Sequence, residues 1–300
     1  MKKDSIAMKS GFTLVEMLVV IGILGILMGV LVGSLSGSTE GARNAQCLTN
    51  MKNLASACHS YGMTSGYYPL AGSVEKVSVE KQGSGSSSSF SPIYYEVPGW
   101  LGWNSAGAYA KEPTSTIANK SWYISSYNKD DIAREYAYTN GVLFKYLSGN
   151  KNCYRCPMHV KKFAKQNPAW SYVMNADFGW QYGSRKTSYF YGKLSRADKK
   201  LLFAEIGFMG VEDSVNTGEG SDSKCDCILQ YKDNELIGFN HASGKKAKFA
   251  HVVFADGHVE KISWPKAGLS QSDVQDLTTW LCEGTDVTFD GARYQDASNL

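Results

Sequence analysis

A net charge of either sign is almost absent from this chain. The formal net charge of its 300 residues is only +3, and Lys2, Lys3 and Lys9 against Asp4 account for +2 of that. The remaining residues are therefore close to neutral as a group. A nucleic-acid-binding protein needs a clustered basic face, so we expect no nucleic-acid partner.

Signatures of catalysis are also missing from the sequence. It contains no GxSxG nucleophile elbow, no HExxH metal-binding helix and no phosphate-binding P-loop. An enzyme needs a cluster of titratable groups with perturbed pKa values, and no such cluster can be recognised from the sequence. We expect no catalytic residues, no enzymatic activity and no cofactor.

An apolar run without a single charge occupies residues 17–35, a stretch of 19 residues. As a helix it would be about 29 Å long, close to the hydrocarbon thickness of a bilayer. A secretory signal peptide would have a shorter apolar region. Because lysines precede the run, residues 1–11 are expected on the cytoplasmic side. Glu16, at the edge of the run, argues against a plain anchor because an ionisable residue there needs a partner.

Residues 10–16 read Ser-Gly-Phe-Thr-Leu-Val-Glu, between a basic leader and the apolar run. This pattern resembles the cleavage and methylation motif of type IV prepilins and type II secretion pseudopilins. The resemblance implies that a prepilin peptidase cuts between Gly11 and Phe12 and that the new N-terminus of Phe12 is methylated. It also implies an assembly role for Glu16, which would neutralise the N-terminal amine of a neighbouring subunit. Inside a helix bundle, a carboxylate and an ammonium each need a counter-charge.

The same resemblance implies a structural filament subunit, either of a type IV pilus or of a type II secretion pseudopilus. Its partners would be the prepilin peptidase, other pilin or pseudopilin subunits, an inner-membrane assembly platform and the membrane itself. The subunit would cross the inner membrane once, with its C-terminal domain in the periplasm or in an extracellular filament. The size of that domain favours a minor subunit. Secretion, adhesion, motility and DNA uptake all stay open as purposes of the filament.

The alternative function is a surface binding or adhesin module presented on such a filament. It is suggested by aromatic residues on either side of the serine-rich segment 82–89, namely Tyr94, Tyr95, Trp100 and Trp103. Exposed aromatic side chains beside a flexible loop are typical of carbohydrate and protein contacts. Burial of the same residues in a core is the competing interpretation.

Glycines recur at every fourth residue along the N-terminal segment, at Gly25, Gly29, Gly33, Gly37 and Gly41. Such spacing lets neighbouring helices approach closely, so we expect these glycines to mediate helix packing. Apolar residues at helical spacing continue to Tyr61, and Gly62 is the expected stop. The predicted organisation is a leader over residues 1–11, a helix over 12–62 with a transmembrane first half, and a globular domain over 63–300.

The globular part carries short strand patterns and no alternation of strands with helices. The predicted strands cover residues 171–175, 188–194, 200–206, 227–232, 249–255 and 258–264. They predict an α+β, pilin-like fold in which the long N-terminal helix packs on an antiparallel β-rich C-terminal domain. Asp256-Gly257 is predicted to form a two-residue hairpin turn, which places His251 opposite Ile262.

Residues 254–260, Phe-Ala-Asp-Gly-His-Val-Glu, resemble the terminal signature of a pilin-like group named for an H-X9-DG pattern. Segments 43–48, 156–157 and 171–175 also resemble that group. The nearest upstream candidate for the histidine of that pattern is His241, with fourteen residues between it and Asp256 instead of nine. The role of His241 is therefore left open.

Seven cysteines occur in the chain, and disulfides are permitted in an exported domain. The candidates for disulfide bonds are Cys153, Cys156, Cys225 and Cys227, with no connectivity assigned. Cys153, Cys156 and His159 also have ligand-like spacing, which makes them weak candidates for a metal site, but no metal is expected. Cys47 and Cys58 share one face of the N-terminal helix about 16 Å apart, too far to bond each other, and are expected to be buried.

Overall fold

The computed structural model describes residues 13–82, 89–102, 131–162, 168–180, 185–206, 227–233, 235–243, 247–263, 271–289 and 294–296. They belong to two compact units, Met1–Arg43 and Asn44–Leu300. The cleavage residues Gly11 and Phe12 lie outside the described residues, as do Trp103 and Cys225. Helix α1, Leu14–Ser65, is continuous from the first unit into the second.

The first unit is the N-terminal part of α1. Its described side chains from Leu14 to Met28 are apolar, apart from Glu16, and exposed on all sides of the helix. A Cβ atom placed on Gly25, Gly29 or Gly41 would meet nothing within 4 Å. In the part of the chain that the structure describes, no helix is both long and apolar enough to cross a membrane.

Helix α1 ends at Ser65, beyond the predicted stop at Gly62. The residue that ends it is Gly66, which has a φ of 78° and donates its backbone N–H to the Gly62 carbonyl oxygen at 2.9 Å. This left-handed conformation after the last turn is the usual glycine cap. Gly62 serves packing instead, because a Cβ atom there would lie 2.2 Å from the ring of Tyr191.

The second unit is built around a six-stranded sheet of order β5-β3-β4-β7-β6, with β8 also paired to β7. The strands are β3 Tyr172–Asn175, β4 Leu201–Glu205, β5 Ile228–Leu229, β6 His241–Ser243, β7 Ala247–Phe254 and β8 Val259–Ser263. All its pairings are antiparallel except β3 with β5, which run parallel. The α+β class is confirmed, but the sheet is mixed rather than purely antiparallel.

Two hairpins, three further α-helices and several short 3-10 helices complete the described elements. Strands β1, Val74–Gln82, and β2, Ser89–Val97, form one hairpin, and β9, Val287–Phe289, pairs with β10, Tyr294–Asp296. The helices are α2 Asp131–Asn140, α3 Pro157–Lys162 and α4 Gln271–Glu283. The predicted strand over 188–194 is wrong: its contribution to pairing is a single bridge from Phe190 to Tyr67.

Strands β4 and β6 pair one after the other with the same edge of β7. Phe254, Val253 and Val252 pair with β4, whereas Phe249, Lys248 and Ala247 pair with β6. Strand β4 therefore ends and β6 begins beside the same stretch of β7. The last residue of β4, Glu205, and the first residue of β6, His241, meet at this junction.

The hairpin between β7 and β8 has a longer loop than predicted. His251 pairs with Lys261, not with Ile262, and the backbone N–H of Phe254 donates to the His258 carbonyl oxygen at 3.0 Å. Three residues, 255–257, thus form the loop, and Gly257 takes a φ of 93°. A three-residue loop ending in a left-handed glycine is a common alternative to the two-residue turn.

The core of the second unit is rich in aromatic residues. Trp100 is fully buried, stacks on Tyr154 with ring centroids 5.7 Å apart, and donates its indole N–H to the Cys227 carbonyl oxygen at 2.9 Å. Trp100 is therefore a core residue rather than part of a binding surface. On α1, Cys47, Met51, Leu54, Ala55 and Cys58 line the buried face, as their helical spacing predicts.

Candidate functional site

The first turn of α1 is capped by reciprocal hydrogen bonds between Thr13 and Glu16. The Glu16 carboxylate accepts from the Thr13 backbone N–H at 2.8 Å and from its hydroxyl at 2.7 Å. In return, the Thr13 hydroxyl oxygen accepts from the Glu16 backbone N–H at 3.3 Å. This is a capping box, which satisfies backbone donors that the first helical turn leaves free. In the single chain, the carboxylate of Glu16 therefore closes its own helix.

Beyond that cap, α1 presents an apolar surface that nothing in the single chain covers. Leu14 is 77% exposed and Ile26 is 70% exposed, and their apolar neighbours are similar. A helix that is apolar on every side is not stable when water surrounds it. It needs other helices or lipid around it. This surface is therefore suited to association.

A second candidate site lies inside the second unit, where α1 meets the segment before α3. Cys47, on α1, forms a disulfide with Cys156 across 109 positions of sequence. The amide of Asn50 holds the same two segments together, because its Nδ2 donates to the Asn152 and Arg155 carbonyl oxygens at 3.1 and 2.8 Å. Cys156 is fully buried.

The sheet contributes a carboxylate and two imidazoles to the same place. Nε2 of His241 donates to Oε1 of Glu205 at 2.6 Å, and Nδ1 of His251 donates to the same oxygen at 3.3 Å. His251 and Glu205 come together because β7 runs beside the end of β4. His241 Nε2 also lies 3.6 Å from the Cys156 sulfur. The junction between β4 and β6 thus faces the disulfide, and we call Cys47, Cys156, Glu205 and His241 the buried cluster.

Asn44 completes the surroundings of His241. The Asn44 side-chain oxygen accepts from Nδ1 of His241 at 2.7 Å. The ring of His241 also stacks on Phe249 with centroids 5.0 Å apart. Both ring nitrogens therefore face oxygen acceptors, and the plane of the ring is fixed.

Glu205 is a fully buried carboxylate, and the neighbouring histidines favour its charged form. Burial alone would raise its pKa, but hydrogen bonds and positive charge from His241 and His251 outweigh burial and lower the pKa below its usual value. Its second oxygen, Oε2, is buried without a hydrogen-bond partner. A buried carboxylate oxygen left in this way is costly, so it calls for a physical explanation.

The structure corrects the predicted cysteine pairing. Cys156 is bonded to Cys47 and Cys153 carries a free thiol, while the Cys227 sulfur donates a hydrogen bond to the Ala71 carbonyl oxygen at 3.7 Å. Spacing along the sequence is misleading here because α1, which is remote in sequence, packs against the segment that holds Cys156. Among the described residues, the three weak candidates for metal binding do not form a group that could hold a metal ion, and Nδ1 of His159 lies 2.9 Å from the Ser171 hydroxyl.

Sequence reasoning missed Asn44, Glu205 and His251 as site residues, and it assigned Cys47 to burial alone. One signal was available for Glu205: it is the only charged residue in the otherwise apolar segment Leu-Leu-Phe-Ala-Glu-Ile over 201–206. An ionisable residue in a fully buried strand must be paired or serve a function. His241, whose role was left open, is the residue that joins Asn44 to Glu205.

Two family models match the chain. The first, described as a prokaryotic N-terminal methylation motif, covers residues 6–32. The second, described as a protein of unknown function (DUF1559), covers residues 39–187. The chain carries a prepilin-type methylation motif and a DUF1559 domain. No curated protein and no solved structure matches it.

The methylation motif implies a type IV pilin- or pseudopilin-like protein that is processed by a prepilin peptidase and assembles with other pilins. The methylation motif includes Thr13 and Glu16, the two residues of the capping box. The DUF1559 match includes Asn44, Cys47 and Cys156. Glu205 and His241 lie beyond its last matched residue.

Proposed function

We propose that this pilin-like protein is a minor structural subunit of a type IV pilus or type II secretion pseudopilus filament. The observation that carries the proposal is the apolar surface of α1 from Leu14 to Met28, which is exposed on every side in the single chain. A contiguous apolar surface of this kind is an association surface. The work of the subunit is polymerisation rather than catalysis.

The proposed subunit is rooted in the inner membrane before assembly, with its second unit in the periplasm or in an extracellular filament. Support comes from the 19 uncharged residues of the run 17–35, which includes residues 30–35, whose side chains lie outside those described. The lysines that precede the run set its orientation. An inner-membrane assembly platform would lift the subunit from the bilayer into the filament.

Glu16 has a proposed role at the moment of assembly. In the single chain its carboxylate faces Thr13 at the first turn of α1, at the point where cleavage before Phe12 would leave a new amine. A neighbouring subunit brings such an amine into an apolar bundle, where an ammonium without a counter-charge is strongly disfavoured. The exposed position of Glu16 leaves it accessible to that amine.

The test is maturation of the full-length chain co-produced with a prepilin peptidase. Wild-type protein should yield a mature chain that begins with an N-methylated Phe12, identified by intact-mass spectrometry. Gly11→Ala should remain at precursor length. Gly22→Ala is the matched control, because that glycine lies eleven residues beyond Gly11 and in open space, and it should mature normally. A mature chain that begins at any other residue, or efficient cleavage of Gly11→Ala, would refute the proposed processing.

Membership in a filament is tested separately by shearing filaments from cells and separating them from membranes. A minor subunit should be present in the sheared fraction at a small fraction of the amount of the major pilin. Its complete absence from that fraction, with correct cleavage, would refute the filament role and leave the processing intact.

A further inference from the structure

The buried cluster brings four metal-binding side chains to one point. One ligand atom from each of Cys47, Cys156, Glu205 and His241 lies within 4.8 Å of all the others, and all four residues are buried. We propose that, once the two cysteines are reduced, these four side chains bind one zinc ion. The Cys47–Cys156 disulfide and the zinc complex are then two states of one site. This inference concerns the second unit alone and does not rest on the filament role.

The donor set suits zinc. Zinc takes four ligands from cysteine sulfur, histidine nitrogen and carboxylate oxygen, at about 2.0–2.3 Å in a tetrahedral arrangement. Donor atoms around such an ion lie about 3.2–3.8 Å apart. The Cys156 sulfur and Nε2 of His241 are already 3.6 Å apart. Nε2 of His241 and Oε1 of Glu205 are closer, at 2.6 Å, because a proton joins them, and the metal would replace that proton.

The groups around the cluster are those that hold metal ligands in place. A histidine ligand usually donates its other ring nitrogen to an oxygen acceptor, which fixes the tautomer and the ring orientation. Here Nδ1 of His241 donates to Asn44, so Nε2 is the atom that faces the cluster. His251 donates to Glu205 from both its backbone N–H and Nδ1. The hydroxyl of Tyr172 lies 3.4 Å from the Cys47 sulfur.

A disulfide beside a buried ion pair accounts for only part of this arrangement. A disulfide needs neither an imidazole nor a carboxylate next to it. The unpartnered Oε2 of Glu205 is fully buried, and no described group satisfies it. A cation bound through Oε2 would satisfy this atom, while Oε1 keeps its hydrogen bonds from His251, and this is the observation that favours a metal site over a structural disulfide alone.

The change between the two states balances with a dithiol as the reductant. The dithiol supplies two electrons and two protons, becomes a cyclic disulfide, and converts the Cys47–Cys156 bond into two thiols. Zinc binding then releases three protons, one from each thiol and one from Nε2 of His241. In the reverse direction, a cyclic disulfide takes the two electrons of the zinc-bound thiolates and two protons from water to become a dithiol, the Cys47–Cys156 bond re-forms, and the ion is released.

The test uses the full-length chain in detergent, fully reduced under anaerobic conditions and freed of metal by a chelator. The probes are Co²⁺, whose thiolate charge-transfer and d–d absorption report a tetrahedral site, and Zn²⁺, which should displace it. The expected result is saturation at one ion per chain, with two thiols protected from alkylation. The oxidised chain should bind neither ion at this site. Circular dichroism verifies that the reduced chain is folded.

Variants then assign the ligands. His241→Ala should weaken Zn²⁺ binding more than about 100-fold, and Asn44→Ala, which removes only the positioning bond, should weaken it about 10- to 100-fold. Asn44→Asp, which keeps the acceptor oxygen, should restore binding. Cys58→Ala is the matched control for Cys47→Ser, because Cys58 is an equally buried cysteine on the same helix as Cys47 and carries a free thiol.

Three results would overturn the proposal. The first is a folded, fully reduced wild-type chain without thiolate-to-cobalt absorption. The second is unchanged zinc affinity in a folded His241→Ala variant, which would place any bound ion on other cysteines. The third is an equal loss of affinity in Cys58→Ala and Cys47→Ser, which would attribute the loss to general destabilisation.

Discussion

Asn44 and His241 are joined by a hydrogen bond of 2.7 Å although 197 positions of sequence separate them. The bond links the first residue of the second unit to the first residue of β6. It connects the long helix directly to the sheet, beside the disulfide that connects the same helix to the segment before α3. Helix α1 is thus attached to the rest of the second unit through Asn44 and Cys47, which lie one turn apart on the same face of the helix.

The disulfide should contribute substantially to stability, because it closes a long loop. Cys47→Ser should lower the free energy of unfolding by about 5 kcal/mol, the value that loop-closure entropy gives for a loop of this length. The measurement is urea unfolding followed by tryptophan fluorescence, under non-reducing conditions with a chelator present. Cys58→Ala should cost only about 1 kcal/mol. Reduced wild-type protein that unfolds at the same urea concentration as the oxidised form would contradict this prediction.

Asn50 should be a strong determinant of local stability. Asn50→Ala removes both donors to the carbonyl oxygens of Asn152 and Arg155, which should cost about 2 kcal/mol. Lys52→Ala, at an exposed position of the same helix, should change stability by less than about 0.5 kcal/mol. Chemical denaturation of the three proteins measures the difference. Equal stabilities of the two variants would show that Asn50 does not hold the loop.

Gly257 should tolerate substitution less well than Gly192. Both have positive φ, but a Cβ atom on Gly257 would lie 2.4 Å from His59 Nε2, whereas one on Gly192 would meet nothing within 4 Å. Gly192→Ala should therefore cost about 1 kcal/mol from backbone strain alone. Gly257→Ala should cost about 3 kcal/mol, because His59 must also give up its 2.6 Å bond with Tyr191. Thermal unfolding of the pair distinguishes crowding from strain, and equal costs would argue against the contact.

Glu16→Gln should separate helix capping from charge neutralisation. Glutamine can still accept from Thr13 in a capping box, so the helix should begin at the same residue. The negative charge is lost, however, and the amine of the neighbouring subunit remains unpaired in an apolar bundle. The variant should be cleaved normally yet fall at least about tenfold in sheared filaments, measured by immunoblot.

Glu40→Gln is the matched control for Glu16, since it makes the same change further along α1. It should assemble normally. Normal assembly of Glu16→Gln would mean that its carboxylate serves only the single chain.

Gly29 should matter for assembly and not for the isolated subunit. A side chain at Gly29 or at Gly22 meets nothing in the single chain, but Gly29 belongs to the four-residue glycine ladder and Gly22 does not. Gly29→Leu should reduce incorporation into filaments by blocking close helix approach, while Gly22→Leu should not. Equal incorporation of the two variants in sheared filaments would remove the packing role of the ladder.

The sequence predicted the local features of the fold well and the long-range ones poorly. The apolar strands β3, β4, β7 and β8 were recognised from their patterns. The β7–β8 hairpin was placed one residue out of register because Asp256-Gly257 is typical of a two-residue turn. The error comes from the length of the loop alone, which is three residues where two were predicted. A shift of one residue changes which side chains face each other across the hairpin.

The buried cluster could not be predicted, because its residues come from four distant segments. Cys47 comes from α1, Cys156 from the segment before α3, Glu205 from β4 and His241 from β6. Asn44, which bonds His241, also comes from α1. Spacing rules apply to ligands that are close in sequence, such as Cys153 and Cys156. The lone glutamate of an apolar strand was the one local sign that a polar site lies in this core.

The position of the disulfide has a mechanical consequence for a subunit held in a fibre. Tension transmitted along α1 from its N-terminal end would reach the second unit at its first residues, and Cys47 is among them. With the bond intact, the pulling force passes through a covalent cross-link, and the side chains that pack beneath the helix are shielded from it. With the bond reduced, the same load would fall on those weaker contacts.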